Sequence, residues 1–343
     1  MPARERLRLA LVGCGAISAW HAEALARVPE IEVAACVDAD LSRAQALAKR
    51  AGGAACGSLD EALARGGFDA VDLMLPHDLH ESAASQCLEA GLHVLLEKPL
   101  ATTREACARL LALAAESPGV FMVGENAHYR PQVQTVKRLL DAGAIGEVQL
   151  CQVQKLWCAD ADFYGGAAHW RRSRARSGGG IVLDSGVHEI RPLRLWLGPV
   201  REVAAATARP QPEHEGESLA ALLLRFERGA VASFNLWLGS RAALGPQQRF
   251  RLTGSEGEIA VVHAGSEVGV ALYDRAHPDG APVPELGPCD YLESFARGFR
   301  DFAAAALLGR PLAAGPEESL RDCEVAWAME RAARSGRFER VGA

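Results

Sequence analysis

The chain has 343 residues, of which 49% are hydrophobic and 23% charged, and its formal net charge is −6. This length suits two domains of ordinary size, and the acidic balance speaks against non-specific binding of nucleic acid. No apolar run approaches the roughly 20 residues that span a bilayer, so we expect neither a membrane segment nor a signal peptide. The nine cysteines form no C-x-x-C pair, which favours reduced thiols in a cytoplasmic protein over a metal site or a disulfide framework.

The first 125 or so residues alternate short apolar strands with segments of helical periodicity. Strands are predicted at 7–12, 31–37, 70–75, 94–96 and 120–123, and helices at 16–28, 41–51, 78–90 and 103–115. Strands that alternate with helices are typical of a parallel sheet built from right-handed βαβ units, here covered on both faces. We therefore predict an α/β fold that begins with a doubly wound parallel sheet, a Rossmann domain, over residues 1–126.

The pattern changes after residue 126. A helix at 132–142 and a strand at 148–156 precede an irregular stretch at 158–178, whose length is typical of a functional loop. A helix at 180–197 follows. Strand-like runs joined by tight turns come next, at 202–208, 218–227, 230–238, 248–254, 258–263 and 267–273. Two helices close the chain, near 291–308 and 316–334. This meander predicts a second α/β domain with a largely antiparallel sheet over residues 127–343.

The segment Gly-Cys-Gly-Ala-Ile-Ser at 13–18 follows the first strand and opens the first helix, which is the context of a dinucleotide-binding turn. Gly13 permits the tight turn, and Gly15 lets the backbone approach a pyrophosphate. The phosphates would lie on the helix N-terminus at Ala16 and Ile17, where free N–H groups and the helix dipole favour an anion. Dinucleotide binding is therefore favoured over a plain strand-to-helix connection.

The residue at the end of the second strand indicates which dinucleotide the protein binds. Asp38 lies there, 23 residues after Gly15. A carboxylate at this position accepts hydrogen bonds from the adenosine ribose and repels a 2′-phosphate, so NAD is favoured over NADP. Arg43 keeps NADP possible, because its guanidinium could balance a phosphate.

Three later segments carry a family resemblance. They are Leu-Pro-His-Asp-Leu-His at 75–80, Glu-Lys-Pro at 97–99 and Gly-Gly-Gly-Ile-Val-Leu-Asp-Ser-Gly-Val-His at 178–188. With the glycine turn, and with further matches at 143–148 and 253–257, they make nearly the whole chain resemble the glucose–fructose oxidoreductase / inositol dehydrogenase (Gfo/Idh/MocA) family.

This resemblance implies a Rossmann domain followed by a domain with a large open, mainly antiparallel sheet. Through that sheet the family usually forms homodimers or homotetramers. The implied reaction is hydride transfer between a nicotinamide and a hydroxyl-bearing carbon of a sugar, cyclitol or related compound.

The resemblance and the local pattern together predict three catalytic residues. Lys98 follows a strand at the edge where open parallel sheets bind ligands, so it can hydrogen-bond the reacting oxygen or relay its proton; a cis bond before Pro99 could hold it, although most X–Pro bonds are trans. Asp184 and His188 are four residues apart on a predicted helix and share a face. His188 is the expected general base for oxidation and general acid for reduction, and Asp184 would orient it or bind a substrate hydroxyl.

Other positions are assigned to the cofactor and to the substrate. The remaining cofactor contacts are expected at Leu75, Pro76, His77, His80, Glu97, Lys98 and Asn126. The substrate contacts are expected at Lys98, His128, Tyr129, Trp170, Arg171, Asp184 and His188. By contrast, His21 on the first helix is expected to be structural.

The sequence departs from the family pattern at two places. His128 stands where the family often has Arg, and Arg191 where it often has Asp. In addition, the loop before the three glycines is basic, with Arg171, Arg172, Arg174 and Arg176 close together. These arginines have two interpretations. They could bind an anionic substrate, such as a uronate or a nucleotide-linked sugar. Alternatively, they belong to a solvated loop or a subunit contact, and this second interpretation is slightly preferred. Nearby aromatic residues would stack on sugar rings or pack the loop; they are Trp157, Phe163, Tyr164 and Trp170.

Two alternative functions stay open at this point. Some relatives use NAD as a recycled redox aid in elimination from a sugar, which gives product without a net change in the nicotinamide. A dinucleotide-binding sensor on the same fold would need no proton chemistry, so the presence of Lys98, Asp184 and His188 argues against it.

Overall fold

The computed structural model describes residues 6–158, 169–239, 247–264, 267–283 and 290–343. By its internal contacts the chain divides into two compact units, Met1–Asn126 with Tyr291–Leu320 and Ala127–Asp290 with Arg321–Ala343. The helix Tyr291–Leu308, which the sequence pattern places after the domain boundary, thus belongs to the first unit. Within the described ranges, no helix is both long and apolar enough to cross a membrane.

The first unit contains a parallel sheet of six strands in the order β3-β2-β1-β4-β5-β6. The strands are β1 Leu7–Val12, β2 Ile31–Val37, β3 Ala54–Cys56, β4 Ala70–Leu73, β5 His93–Glu97 and β6 Phe121–Gly124. The helices are α1 Ala16–Leu25, α2 Leu41–Ala51, α3 Leu59–Arg65, α4 His80–Glu89, α5 Arg104–Glu116 and α9 Tyr291–Leu308. The predicted doubly wound sheet is confirmed, and its strand order reverses between β1 and β4, where such sheets bind ligands. The short elements β3 and α3 were not predicted.

The second unit contains a sheet of nine strands in the order β14-β13-β12-β11-β7-β10-β9-β8-β15. Its strands are β7 Val148–Cys158, β8 Val200–Ala208, β9 Leu219–Phe226, β10 Val231–Gly239, β11 Gln247–Gly254, β12 Glu258–Ala264, β13 Glu267–Tyr273, β14 Ala281–Pro282 and β15 Glu339–Arg340. The helices are α6 Pro131–Asp141, α7 Arg174–Ser177, α8 Val187–Leu197 and α10 Glu317–Ser335, the last of which begins within the residues of the first unit. All pairs of neighbouring strands are antiparallel except β7 with β10, so the mainly antiparallel sheet is confirmed.

The two faces of this second sheet differ in exposure. Along β9 the buried and exposed residues alternate, with Leu222 and Leu224 buried and Leu223 exposed. The buried face packs against helices such as α8, and Trp196 of that helix meets the ring of Phe250 edge-on at 4.9 Å. One covered face and one solvated face are typical of antiparallel sheets. Assembly into a homodimer or homotetramer through the solvated face stays a prediction.

The helix predicted over 180–197 has two parts. Residues Val182–Gly186 form a π-helical turn, and α8 begins at Val187. Side chains from elsewhere bind the backbone of this turn: the carboxylate of Glu217 accepts from the N–H of Val182 at 3.0 Å. Single π turns inside helices occur frequently at functional sites.

Candidate active site

The glycine turn between β1 and α1 has two glycines with different roles. Gly13 has a φ of +92°, and a Cβ there would collide with the carbonyl oxygen of Met74. A Cβ on Gly15 would meet nothing within 4 Å. Gly13 is therefore required by the backbone itself, whereas Gly15 leaves open space at the start of α1.

The N-terminus of α1 is suited to bind a phosphate group. Side chains cap α2, α3 and α5 by accepting a backbone N–H, but among the described residues no side chain caps α1, whose N-cap residue is Gly15. The N–H groups of its first turn, which begins with Ala16 and Ile17, thus have the orientation that binds anions. The third small position is filled by Ser18, whose hydroxyl donates to the Gly15 carbonyl at 2.7 Å.

Asp38 joins the glycine turn to the end of β2. One carboxylate oxygen accepts the N–H of Cys14 at 2.7 Å, and the other accepts the N–H of Asp40 at 2.8 Å. Each oxygen has a second lone pair, so Asp38 can still accept from a ribose hydroxyl. Arg43 is exposed and lies 3.4 Å from Asp40, so its charge is already balanced by a neighbouring carboxylate. Burial raises the pKa of the Cys14 thiol to about 12, and this thiol donates to the carbonyl oxygen of Val37 at 3.5 Å.

The loops after β4 and β5 are joined by a buried histidine. Leu75 and Pro76 are partly exposed after β4. The ring of His80 lies 3.0 Å from the Leu75 carbonyl oxygen through Nε2 and 2.8 Å from the Pro99 carbonyl oxygen through Nδ1. Burial lowers the pKa of His80. His77 is also buried, and its ring lies edge-on to that of His80 at 5.4 Å. His80 thus joins the loop after β4, at Leu75, to the loop after β5, at Pro99.

Lys98 lies immediately after β5, is partly exposed, and forms a cis peptide bond with Pro99. Its backbone N–H donates to the carboxylate of Glu97 at 3.1 Å. The other oxygen of Glu97 lies 3.1 Å from Nε2 of His21, whose Nδ1 lies 2.7 Å from the carboxylate of Asp72. A chain of polar groups, with His21 and Asp72 buried and Glu97 partly exposed, therefore ends at the backbone of Lys98.

The His21 network was not predicted from the sequence. Although burial acts to lower it, the carboxylates of Asp72 and Glu97 raise the pKa of His21 to about 10, so the ring is an imidazolium that donates to both. It packs between Phe295 and Phe299 of α9, with ring centroids 4.8 and 5.3 Å away. The available signal was Asp72, a charged residue inside the fully buried strand β4. His21 is buried and connects through Glu97 to the backbone of the predicted catalytic lysine, and its structural role stays a prediction.

Asn126 closes the first unit. Its side-chain amide donates to the hydroxyl of Ser294 on α9 at 3.0 Å, and both groups are buried. Its predicted contact with the cofactor is not tested by this geometry and stays a prediction.

In the second unit, Asp184 lies in the π turn and is held by Arg171. The guanidinium Nε of Arg171 lies 3.3 Å from both carboxylate oxygens of Asp184. The same guanidinium stacks on the ring of Trp170 at 4.2 Å from its centroid. His169 was missed by the sequence analysis: its Nδ1 accepts the N–H of Arg171, and burial together with Arg171 lowers its pKa to about 4. The structure thus brings two predicted substrate residues together with Asp184.

His188 is the second residue of α8 and is partly exposed. Tyr129 and His128 precede α6, where the two rings meet edge-on at 5.0 Å. Arg191, which replaces a common Asp of the family, is buried and pairs with Asp322 of α10 at 2.6 Å. This charge reversal is therefore balanced inside the unit.

The basic loop is largely paired with carboxylates of the same unit. Besides the Arg171 pair, Arg172 lies 3.9 Å from Glu213 and Arg174 lies 2.5 Å from Glu330. These contacts weaken the hypothesis that the loop binds an anionic substrate. Phe163 and Tyr164 lie outside the described residues, and within those residues no group of three His, Cys, Asp or Glu side chains could hold a metal ion.

Both units match known protein families. Residues 7–125 match the oxidoreductase family with an NAD-binding Rossmann fold. Residues 133–260 match the GFO/IDH/MocA C-terminal domain.

Individual relatives cover the chain more completely. A dTDP-3,4-didehydro-2,6-dideoxy-alpha-D-glucose 3-reductase from Actinomadura kijaniata is 30% identical over 335 residues, 96% of each chain. A D-apiose dehydrogenase from Paraburkholderia graminis is 34% identical over 74% of this chain and 67% of its own. The crystal structure of the WlbA dehydrogenase from Bordetella pertussis in complex with NADH and UDP-GlcNAcA matches with a TM-score of 0.86 at 25% identity, covering 100% of both chains.

Proposed function

Because the chain belongs to the Gfo/Idh/MocA family of NAD(P)-dependent oxidoreductases, we propose that it moves a hydride between NAD and a hydroxyl- or keto-bearing carbon of a sugar, cyclitol or sugar derivative. One observation carries this proposal. The glycine turn after β1 and Lys98 after β5 lie at the same edge of one parallel sheet, where β1, β4 and β5 are neighbours. That edge is where such sheets bind ligands.

The residues of the first unit fit a dinucleotide. The open space at Gly15 and the uncapped start of α1 suit the pyrophosphate. Asp38 suits the ribose hydroxyls of NAD, and the pairing of Arg43 with Asp40 leaves less charge for the 2′-phosphate of NADP. When bound, NAD supplies the carbon that accepts or donates the hydride.

The side chains of the chain itself handle the proton. An alcohol that is oxidised loses a hydride from carbon and a proton from oxygen, and we assign that proton to His188, which returns it in the reduction. Lys98 donates a hydrogen bond to the same oxygen. Asp184, held by Arg171, positions His188 or a substrate hydroxyl.

The names of the relatives support the proposed substrate class. One relative, 30% identical, is named as a reductase of a dTDP-linked sugar, and another, 34% identical, is named as a dehydrogenase of the sugar D-apiose. Trp170 offers a flat surface to a sugar ring, and its stacking on Arg171 orients it.

The test is a screen of sugars, cyclitols and sugar acids with NAD and with NADP, in which the absorbance of the reduced nicotinamide is followed. The wild type should turn over at least one substrate with NAD, and His188→Ala should lose roughly 10²- to 10⁴-fold in kcat. Product formation without net absorbance change would instead indicate the recycled-NAD elimination. The proposal fails if NAD binds but no compound of these classes reacts.

A further inference from the structure

A buried ion cluster in the second unit surrounds Glu189, the residue after His188. Glu189 is fully buried, and one carboxylate oxygen lies 2.9 Å from Nζ of Lys155 on β7. The other oxygen lies 3.6 Å from Nε of Arg249 on β11 and 4.0 Å from Nη1 of Arg130 before α6. Side chains from four segments of the fold therefore meet at one carboxylate.

A β-bulge brings Arg249 into this cluster. Along β11, Gln248 pairs with Val262 and Phe250 pairs with the adjacent Val261, so Arg249 has no residue opposite it. A bulge changes the direction of a side chain that the normal alternation of a strand would fix, and bulges are frequent next to active sites. Here it places the guanidinium beside Glu189.

Lys155 lies on the buried face of β7. Its neighbours on that face, Cys151 and Val153, are apolar and buried, so a lysine is an exception in this pattern. Replacing a buried ion pair by apolar residues is often neutral or stabilising, so stability alone is a weak reason for the cluster. A role in function explains it better.

The ammonium group of Lys155 also binds the π turn directly. Nζ donates to the carbonyl oxygen of Ser185 at 2.9 Å, in addition to its contact with Glu189. Ser185 follows Asp184, and Glu189 follows His188. One side chain therefore contacts a residue next to each of these two predicted site residues.

We propose that Lys155, Glu189 and Arg249 form a positioning network that holds the π turn and the first turn of α8, and thereby places His188 for proton transfer. This inference rests on the proposed function, since it concerns the residue to which we assign the proton. The network acts through the backbone and through Glu189, and it need not touch the substrate. Small errors in placing a reacting group can cost up to roughly 10²-fold in rate.

The network carries a pH signature. Burial lowers the pKa of Lys155 to about 8, with Arg249 and Arg130 acting in the same direction and Glu189 acting against it. His263 of β12 has a pKa lowered to about 4 by burial, Arg249 and Arg130, so it is neutral over the relevant range. We therefore expect kcat to fall as the pH rises through about 8, because Lys155 loses the charge that pairs with Glu189.

The experiment compares Glu189→Gln and Lys155→Met with Asp322→Asn. Asp322 of α10 belongs to a comparably buried ion network, at 2.6 Å from Arg191 and 2.5 Å from Arg194 of α8, and therefore controls for loss of stability. The measurements are kcat and KM against pH, thermal unfolding, and the NMR titration of the His188 ring. We expect the first two variants to lower kcat roughly 10- to 100-fold, to remove the decline near pH 8 and to shift the His188 titration. Asp322→Asn should lose stability only.

The outcomes separate this inference from the proposed function. If Glu189→Gln folds and keeps both the wild-type kcat profile and the wild-type His188 titration, the positioning network is wrong. Lys155→Arg keeps the positive charge but does not titrate in this range, so it should retain activity while the decline of kcat near pH 8 disappears. If Lys155→Arg and Asp322→Asn lose kcat in parallel, the positioning network is also wrong. If His188→Ala retains full turnover, the proposed function fails instead, and the NMR titration still decides whether the network controls His188.

Discussion

Each unit of the molecule connects a buried ionic network to one predicted catalytic residue, but the two networks have opposite composition. In the first unit a cation, His21, lies between two carboxylates and leads to Lys98 through Glu97. In the second unit a carboxylate, Glu189, lies among cations directly after His188.

The difference lies in how each network reaches its residue. Glu97 accepts the backbone N–H of Lys98 at the end of β5, a strand that pairs with β4 on one side and β6 on the other, so the sheet itself already positions the residue that the first network contacts. In the second unit, Lys155 holds a π turn by a carbonyl oxygen and by the side chain of Glu189. The comparison predicts that the first network contributes mainly to stability and the second mainly to rate.

The largest effect should come from the two catalytic residues that the networks support. Lys98→Met and His188→Ala should each lower kcat by roughly 10²- to 10⁴-fold, because each removes a group that handles the reacting oxygen or its proton. If they act on one proton transfer, the double variant should lose little more than the worse single variant. Steady-state kinetics at saturating NAD would measure this. Fully additive losses would contradict a shared step.

The next effect tests the first network. His21→Gln should lower the free energy of unfolding by about 3–5 kcal/mol, because Asp72 and Glu97 would lose their buried cation. The folded protein holds the pKa of His21 at about 10, above its ordinary 6.5, so its contribution is full below pH 6.5 and is lost as the pH rises through 10. Urea unfolding of both proteins across this range should show the difference shrinking with pH.

His93→Gln is the matched control for that measurement. His93 begins the same strand that ends at Glu97, and its Nδ1 accepts the N–H of Val120 outside the ionic network. Its effect should be small and should lack the alkaline loss. If the two variants behave alike at every pH, His21 is not acting as an imidazolium. If His21→Gln lowers kcat as strongly as Glu189→Gln, the contrast between the two networks is wrong.

Two glycine substitutions test the two units separately, one by its effect on NAD binding and the other by its effect on kcat. Gly15→Ala should leave thermal unfolding unchanged, since its Cβ meets nothing within 4 Å, while it weakens NAD binding by roughly tenfold because the pyrophosphate needs that space. Gly180→Ala would collide with the carboxyl group of Glu217, which binds the π turn, so it should lower kcat and leave the Kd for NAD unchanged. Calorimetric titration with NAD and steady-state kinetics would measure both. Weaker NAD binding by Gly180→Ala would remove the distinction.

The sequence was sufficient for five of the six strands of the first unit, all except β3, and for the motifs. Apolar runs of three to seven residues and a glycine turn predict local structure, and Lys98, Asp184 and His188 lie within short motifs. The His21 network could not be read in the same way, because its hydrogen bonds join residues 51 and 76 positions apart. Its existence depends on which strands are neighbours in the folded sheet.

The second network, around Glu189, was still harder to predict from the sequence. Lys155 falls on the buried face only if β7 keeps its alternation, and Arg249 points to the same face only because of a bulge. Neither the bulge nor the π turn has a pattern in the residues that surround it. The sequence therefore indicates candidate reacting groups, whereas the groups packed around them depend on the fold.

The smallest effect concerns the choice of dinucleotide, which belongs to the first unit alone. Asp38→Asn retains an oxygen that can accept the N–H of Cys14 but removes the charge that repels a 2′-phosphate, so the preference for NAD over NADP should fall by roughly tenfold. Arg43→Ala should change the preference less, because that guanidinium already pairs with Asp40. The ratio of kcat/KM for the two cofactors measures both. An unchanged ratio in Asp38→Asn, or a larger change in Arg43→Ala, would show that the selection is made elsewhere.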